Sequence, residues 1–218
     1  MVYNTPETPS LAVAELTLTL ILNILKKISN ADRNLRKKEW KPETGYLLSG
    51  KTIGIIGLGR IGKKLAQFLT PFNVKIIAYE IKPDQSFVSK NKIELVSFEK
   101  LISESDIISV HLPLTDETKY LIGKKQLESM KENAILINTA RGGIVDEKAL
   151  YEALKNKVIA GAALDVFENE PDTGKLKDLD NIILTPHMAT FTIETRKQME
   201  IEAVENLIMG LKETKILE

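Results

Sequence analysis

The sequence predicts an α/β domain in which helices cover both faces of a doubly wound parallel sheet. Three observations lead to this fold class: short β-rich runs apolar on successive residues, helical stretches with one apolar face between them, and a glycine-rich turn directly after the first run. Continuous apolar runs are typical of parallel strands buried on both faces. The predicted strands are residues 52–56, 74–79, 107–110, 134–137, 158–164 and 182–184.

An N-terminal helix is expected before the first strand. Residues 1–10 contain Pro6 and Pro9 and predict an extended arm, Ser10 is a candidate helix cap, and the helix is expected to run to about Asn30. Its residues 11–25 are almost entirely apolar or Thr, but they include Glu15 and are short for a membrane span. A helix buried on more than one side, or lying at a subunit interface, is therefore favoured.

A polar linker, residues 33–49, is expected to lead from this helix into the first strand. Three helices are then predicted inside the sheet domain. A last helix is predicted over residues 192–212, with Ile201, Val204, Ile208 and Leu211 on one face. The predicted organisation is an arm and helix in residues 1–50, the sheet domain in residues 51–190, and a C-terminal helix in residues 191–218. The helices inside the domain are indicated by the apolar face of Ile61, Leu65, Phe68 and Leu69, by Ser97 as a cap for a helix through Ile102, and by Asp146 as a cap for residues 147–155.

The composition excludes several classes of function. Among 218 residues, 43% are hydrophobic, which is enough for a core, and 30 basic residues balance 30 acidic ones, so no basic field would attract nucleic acid or a membrane surface. The chain has no cysteine, which excludes disulfides, Cys-zinc sites and a thiol nucleophile. These features are consistent with a cytoplasmic protein.

The first predicted strand leads into Gly57, Gly59 and Gly62, a spacing typical of a Rossmann-type dinucleotide site. Gly57 permits a tight turn, Gly59 lets the backbone approach a pyrophosphate, and Gly62 lets the helix pack on the strand. Glycines often serve only as turns, but here a second strand follows and ends at Glu80. An acid at this place can accept both ribose hydroxyls and repels a 2′-phosphate, so NAD is preferred over NADP. A solvated acid at a strand end is the ordinary alternative for Glu80.

Three later strands are each followed by a residue whose side chain can bind an ion or transfer a proton. Arg141 follows one strand and precedes two glycines, Glu170 lies in the loop after the next, and His187 follows the last. Taken singly, they could be a surface ion pair, a loop acid and a partly buried polar residue. Because the carboxyl ends of parallel strands share one sheet edge, all three are expected beside the dinucleotide site, which favours a catalytic interpretation.

The chain resembles the D-2-hydroxyacid dehydrogenases, most of all their phosphoglycerate and glyoxylate/hydroxypyruvate branch. The resemblance runs from about Asn4 to Leu211. It is carried by the segments 13–18, 57–62, 111–115, 130–147, 163–167, 170–171 and 186–187.

The resemblance implies a hydride transfer between NAD and the C2 atom of a D-2-hydroxyacid or 2-oxoacid. It implies that Arg141 grips the substrate carboxylate, His187 exchanges a proton with the carbonyl oxygen, and Glu170 orients His187. It also implies that further residues border the cofactor: Asp165 at the carboxamide, Thr139 and Ala140 at the ring, Arg60 and Ile61 at the pyrophosphate, and His111 and Pro113 along the crevice.

Family members typically begin with a further substrate lobe, and the chain is expected to start where that lobe ends. We therefore expect NAD binding to survive in this chain while turnover is severely impaired. The resemblance further implies a homodimer through the helix of residues 11–30. Residues 31–36 and 39–40 resemble those of phosphoglycerate dehydrogenases, a resemblance that implies a 3-phosphoglycerate-like substrate without being a specificity determinant. The alternatives are a non-catalytic NAD sensor or scaffold, like the related C-terminal-binding corepressors, and an inactive fragment.

Overall fold

The computed structural model describes residues 8–213 as a seven-stranded, wholly parallel sheet with helices on both faces. The strand order is β3-β2-β1-β4-β5-β6-β7. From β1 the strands β2 and β3 are added on one side, and from β4 onward they are added on the other, so the strand order reverses between β1 and β4. The predicted fold class is confirmed. The strands are β1 Thr52–Ile56, β2 Lys75–Tyr79, β3 Glu94–Leu95, β4 Ile107–Val110, β5 Ile135–Asn138, β6 Gly161–Leu164 and β7 Ile182–Leu184.

Eight α-helices are described, and seven of them precede or connect strands. They are α1 Pro9–Lys26, α2 Ile28–Arg36, α3 Arg60–Leu69, α4 Gln85–Lys90, α5 Phe98–Glu104, α6 Lys124–Ser129, α7 Glu147–Lys155 and α8 Ile193–Glu213. The predicted caps of α5 and α7 are confirmed: Ser97 accepts from the N–H of Lys100, and Asp146 accepts from those of Lys148 and Ala149.

Each face of the sheet has its own apolar core. On one face, Leu20 and Ile21 of α1 pack with Leu65 and Leu69 of α3 against the strands. On the other, Leu101 of α5, Leu127 of α6 and two leucines of α7 pack against them. Each fully buried Leu or Ile contributes about 1.5–3 kcal/mol by leaving water, so α1 is anchored as firmly as the connecting helices.

The prediction for the N-terminal helix is wrong at both ends. The helix begins at Pro9 rather than after Ser10, because proline suits the first turn, where its missing N–H costs nothing. It ends at Lys26 rather than near Asn30, since Lys27 adopts a left-handed conformation with φ 55°. The rest of the predicted arm, including Pro6, lies outside the described residues.

Two tertiary contacts explain the break after Lys26. In a continuous helix the carbonyl of Leu25 would accept from the N–H of Ser29. Here Leu25 O accepts from Tyr46 N at 2.8 Å, and Ser29 N donates instead to the side chain of Asn23 at 2.9 Å. The chain therefore turns, and α2 extends into the stretch predicted as a polar linker.

Most apolar residues of α1 pack against the core of the domain. Within the described residues 8–213, this is the one helix whose length and mean hydropathy of 1.4 would allow it to cross a membrane, a test that a core helix also passes. Its residues Ala12, Ala14, Thr17, Leu20, Ile21 and Leu25 are buried among those of its own chain. The predicted apolar face of α8 is different, because Val204 is 56% exposed and Ile201 and Ile208 are exposed as well.

Smaller departures concern short elements. The strand predicted over residues 158–164 begins only at Gly161, because residues 157–160 form the turn that leaves α7. The short elements α4, β3 and α6 were not predicted, since six or fewer residues carry too little periodicity to reveal themselves.

Candidate active site

The glycine turn after β1 has the geometry that its spacing predicts. Gly57 has φ 93°, and a Cβ there would lie 2.6 Å from the carbonyl oxygen of His111. A Cβ on Gly62 would lie 2.2 Å from the carbonyl oxygen of Gly57, so α3 packs as closely as backbone permits. A Cβ on Gly59 would meet nothing within 4 Å. The space in front of the N-terminus of α3 is therefore open, as a pyrophosphate held by Arg60 and Ile61 backbone groups would require.

Glu80 lies directly beside this turn, at the end of β2. Its Oε2 accepts from the N–H of Leu58 at 2.8 Å, and its Oε1 accepts from the N–H of Lys82 at 2.9 Å. The carboxylate is thus fixed next to the glycine turn by two backbone donors. Its remaining lone pairs can accept from ribose hydroxyls at this position.

A cleft of about 380 Å³ lies at the carboxyl edge of the sheet. It continues from the start of α3 past the ends of β4, β5, β6 and β7, and is also bordered by α1 and α8. The structure therefore brings most of the predicted site residues into one cavity. They are Ile61, His111, Pro113, Thr139, Ala140, Arg141, Asp165 and His187.

His187 and Glu170 form a hydrogen-bonded pair at the wall of this cleft. His187 Nδ1 lies 2.8 Å from Glu170 Oε2 and 3.1 Å from Glu170 Oε1. Glu170 Oε1 also accepts from the N–H of Phe167 at 3.1 Å. Burial raises the pKa of Glu170, but the hydrogen bonds from His187 and Phe167, with the charges of His187 and Arg141, outweigh it and lower the pKa. Glu170 itself borders a second cavity, of about 240 Å³, behind the histidine.

Asp165 holds the segment that carries His187. It is fully buried, and its Oδ1 accepts from Thr185 Oγ1 at 2.6 Å and from Met188 N at 2.9 Å. Its Oδ2 accepts from Ala189 N at 3.0 Å. These bonds stabilise the left-handed conformation of His187, whose φ is 50°. The sequence indicated Asp165 only as a cofactor contact, and this supporting arrangement was missed.

Arg141 lies on a loop that Asn138 shapes. Asn138 is 2% exposed; its Nδ2 donates to the carbonyl of Arg141 at 2.9 Å, and its Oδ1 accepts from Ala140 N at 3.0 Å. The guanidinium of Arg141 is at the exposed surface, where Nη1 donates to the carbonyl of Ala140 at 2.6 Å. Asn138 was not predicted as a site residue, although a polar residue ending a buried strand is the signal that could have indicated it.

His111 is a half-buried residue that lines the cleft. Its Nε2 lies 2.8 Å from Ser109 Oγ, and its Nδ1 is buried with no hydrogen-bond partner among residues 8–213. Burial lowers the pKa of His111 from 6.5 to about 4. Thr139, on the far side of the cleft, is tied to α1 because its hydroxyl lies 2.8 Å from that of the buried Thr17.

Within residues 8–213 no group of three or more His, Asp or Glu side chains is arranged to hold a metal ion. The open glycine turn, the adjacent Glu80 and the cleft at the reversal of strand order together define the dinucleotide-binding domain of an oxidoreductase. This chain belongs to the family of D-isomer specific 2-hydroxyacid dehydrogenases, as its NAD binding domain, which the family model matches over residues 18–189.

Similar proteins include a glyoxylate reductase of Thermofilum pendens, 47% identical over 97% of this chain and 65% of the relative. A D-3-phosphoglycerate dehydrogenase of Methanocaldococcus jannaschii is 44% identical over 90% of this chain and 38% of the relative. A hydroxypyruvate reductase of Thermotoga maritima is 40% identical over 96% and 70%. The chain thus spans about two thirds of the length of the reductases and less of the phosphoglycerate enzyme.

Solved structures with the same fold include a glyoxylate reductase from Paecilomyes thermophila. It has a TM-score of 0.88 and 36% identity, and the match covers 93% of this chain and 62% of that one. A D-lactate dehydrogenase of Aquifex aeolicus complexed with NAD and lactic acid has a TM-score of 0.88 and 30% identity, covering 95% and 68%.

Proposed function

We propose that this chain binds NAD in the cleft and holds a 2-oxoacid or D-2-hydroxyacid between Arg141 and His187 for hydride transfer at C2. The observation that carries the proposal is the Glu170–His187 pair facing the same cleft as Arg141, beside an open glycine turn. The bound nicotinamide supplies or receives the hydride. The chain's own residues place the substrate and move one proton.

Arg141 is proposed to bind the substrate carboxylate through two parallel hydrogen bonds. Its guanidinium is exposed at the cleft, and the loop under it is fixed by Asn138. A bidentate grip fixes the plane of the carboxylate and therefore the direction of the adjacent carbonyl. Lysine at this position would keep the charge but lose that direction.

His187 is proposed to give its Nε2 proton to the carbonyl oxygen during reduction and to accept it during oxidation. Its Nδ1 faces Glu170, so Nε2 is the nitrogen available for the substrate. The lowered pKa of Glu170 keeps this carboxylate ionised, and its hydrogen bond to Nδ1 fixes the orientation of the His187 ring.

The cofactor roles implied by the resemblance are also proposed. Glu80 would accept from the ribose hydroxyls, Gly59, Arg60 and Ile61 would surround the pyrophosphate, and the remaining contacts would lie along the cleft. Asp165 has less freedom than the others, since its carboxylate already accepts three hydrogen bonds and would have to share one oxygen with a carboxamide. The remaining contacts are Gly57, Gly62, His111, Pro113, Thr139, Ala140 and Asp165.

For the substrate we propose a small 2-oxoacid of the glyoxylate and hydroxypyruvate type. Reductases with these names are among the similar proteins at up to 47% identity, and phosphoglycerate dehydrogenases follow at 44%. A 3-phosphoglycerate-like substrate, with a role in serine biosynthesis, is the second candidate. All of these acids share the carboxylate and adjacent carbonyl that Arg141 and His187 would hold.

The first experiment is calorimetric titration of the purified chain with NADH and, separately, NADPH. We expect NADH to bind at least about tenfold more tightly, a difference of about 1.4 kcal/mol. Glu80→Gln should reduce that preference, because an amide does not repel the 2′-phosphate. The matched control is Glu128→Gln, an exposed acid on α6. If neither NADH nor NADPH bound, the proposal would be contradicted.

The second experiment follows NADH consumption with glyoxylate, hydroxypyruvate and 3-phosphohydroxypyruvate as separate substrates. Arg141→Ala should abolish whichever reaction is observed while leaving NADH affinity within about twofold, since the guanidinium acts on the substrate. Reduction that survives Arg141→Ala would place catalysis elsewhere. Because turnover is expected to be severely impaired, reduction should be slow but measurable. NADH binding without any reduction would favour the sensor, scaffold or inactive-fragment alternatives.

We further propose a cytoplasmic homodimer, for which α1 carries less support than its composition indicated. Among the large apolar side chains of residues 11–30, four are buried, four are half-buried against the core, and the exposed ones are Leu11 of α1 and Ile28 at the start of α2. If these form the interface, Leu11→Glu with Ile28→Glu should convert a dimer into a monomer by light scattering. A wild-type monomer at tens of micromolar would contradict the homodimer.

A further inference from the structure

Two acidic side chains outside the proposed catalytic group bond reciprocally to each other's backbone. Glu147 is the first residue of α7, and Glu168 lies in the loop after β6, two residues before Glu170. Glu168 N donates to Glu147 Oε1 at 2.6 Å, and Glu147 N donates to Glu168 Oε1 at 3.0 Å. This pair closes a ring between α7 and the loop that carries Glu170.

The arrangement brings two acidic side chains together, and the repulsion between their charges is unfavourable for the stability of the fold. Burial raises the pKa of Glu147, and the charges of Glu168, Asp172 and Asp146 raise it further, against the lowering effect of the Glu168 N–H. The N-terminus of α7 is already capped by Asp146, so Glu168 is not needed for that purpose. The repulsion therefore calls for a role beyond holding the helix end.

Glu168 lies where the two loops of the proposed catalytic residues meet. Its Oε2 accepts from the Tyr120 hydroxyl at 3.1 Å, and Tyr120 N donates to the carbonyl of Gly143 at 2.7 Å. On the other side, a Cβ on Gly142 would lie 1.9 Å from the carbonyl oxygen of Phe167. The loop that follows Arg141 thus rests directly on the backbone that precedes Glu170. Glu168 belongs to one side of that contact and is linked to the other side through Tyr120.

We propose that Glu147 and Glu168 form a positioning clamp that holds the Glu170–His187 pair in register with Arg141. Neither acid touches the substrate; the clamp acts through the loop from Phe167 to Glu170. This inference rests on the proposed function, since it assigns a role to the geometry of the proposed catalytic residues. Loosening the clamp is expected to change the environment of His187 without affecting the dinucleotide half of the cleft.

The test uses the two histidines of the chain, His111 and His187, as reporters in a proton–carbon NMR spectrum of the imidazole rings. Substituting His111→Gln assigns the two signals. In Glu168→Ala we expect the His187 signal to shift and broaden while the His111 signal stays in place. Glu168→Gln should leave both signals unchanged, because the amide oxygen still accepts from Glu147 N and the amide NH2 can face Tyr120. Glu128→Ala, which removes an equal charge from the exposed surface of α6, should also leave both unchanged.

Two more variants keep the test decisive if Glu168→Ala does not fold. Tyr120→Phe removes only the hydroxyl that bonds Glu168 and should shift the His187 signal in the same direction by less. Glu147→Ala alone removes the acceptor of Glu168 N and should shift the His187 signal in the same direction. An unmoved His187 signal, with a lowered unfolding temperature, would show that the pair only stabilises the fold. NADH titration of the same samples separates this result from failure of the proposed function, because cofactor binding does not depend on the clamp.

Discussion

The two halves of the cleft are built by different means. In the dinucleotide half, at the ends of β1, β2 and β4, the geometry depends on backbone approach: Gly57 and Gly62 leave no room for a side chain, and Gly59 borders open space. In the catalytic half, at the ends of β5, β6 and β7, buried side chains hold the loops, with Asn138 under Arg141 and Asp165 under His187. The first half binds a ligand that is the same for a whole class of enzymes. The second half is proposed to fix individual side chains at a substrate, which requires directed hydrogen bonds.

The strongest way to break the catalytic half is to separate its two loops. Gly142→Ala would place a Cβ 1.9 Å from the carbonyl oxygen of Phe167, and no flexible side chain can yield because the nearest atoms are all backbone atoms of Phe167 and Glu168. We expect the free energy of unfolding in urea to fall by about 1–3 kcal/mol or more. Gly123→Ala is the control, because its Cβ would be 3.5 Å from the nearest atom. Equal stability of the two variants would contradict the contact.

Asp165→Asn tests the hydrogen bonds beneath His187. The amide can still accept at one oxygen, but its NH2 group would face the N–H of Ala189, so a buried donor loses its acceptor. A loss of about 1–3 kcal/mol in unfolding free energy is expected, with a displaced His187 signal in the NMR spectrum. The exposed Asp116→Asn serves as the reference, and a variant as stable as this reference would show that Asp165 does not organise the loop.

His111, in the dinucleotide half, makes the free energy of unfolding depend on pH. Burial lowers its pKa from 6.5 to about 4, so the unfolded chain binds a proton between these values that the folded chain does not. The stability that the neutral ring provides is therefore lost as the pH falls from about 6.5 to about 4. Relative to His111→Gln, the wild type should lose on the order of 1–2 kcal/mol across this window. Parallel pH profiles of unfolding for the two proteins would refute the assignment.

Gly59→Ala should have the smallest effect on stability and sharpens the contrast between the halves. Its Cβ would meet no atom within 4 Å, so the free energy of unfolding should change by less than about 0.5 kcal/mol. The methyl group would nevertheless occupy space in front of α3, and calorimetry should show NADH affinity reduced by about tenfold, or 1.4 kcal/mol. Unchanged NADH affinity would mean that the pyrophosphate does not approach this glycine.

The differences between the halves also explain which site residues the sequence could reveal. Gly57, Gly59, Gly62 and Glu80 follow from spacing along one strand–turn–helix–strand unit, which local sequence encodes. Arg141, Glu170 and His187 were indicated because each follows a predicted strand. The supporting residues Glu147, Glu168 and Thr17 were not, because each bonds to a residue that is remote in sequence. Asn138 was also missed, although its partners Ala140 and Arg141 are its close neighbours along the chain.

The sequence by itself determined the fold class, most of the strands, the caps of α5 and α7, and the sheet edge at which the site lies. These features depend on hydrophobic period, turn residues and the common direction of parallel strands, all of which are local or follow from topology. Tertiary structure alone decided where α1 ends, because the donor that takes the Leu25 carbonyl from Ser29 N is Tyr46 N, twenty-one residues after Leu25. It also decided that α1 packs against the domain and that Glu147 meets Glu168 in the loop that carries Glu170. Hydrogen bonds between remote segments leave no periodic trace in a chain, and only the folded arrangement brings their partners together.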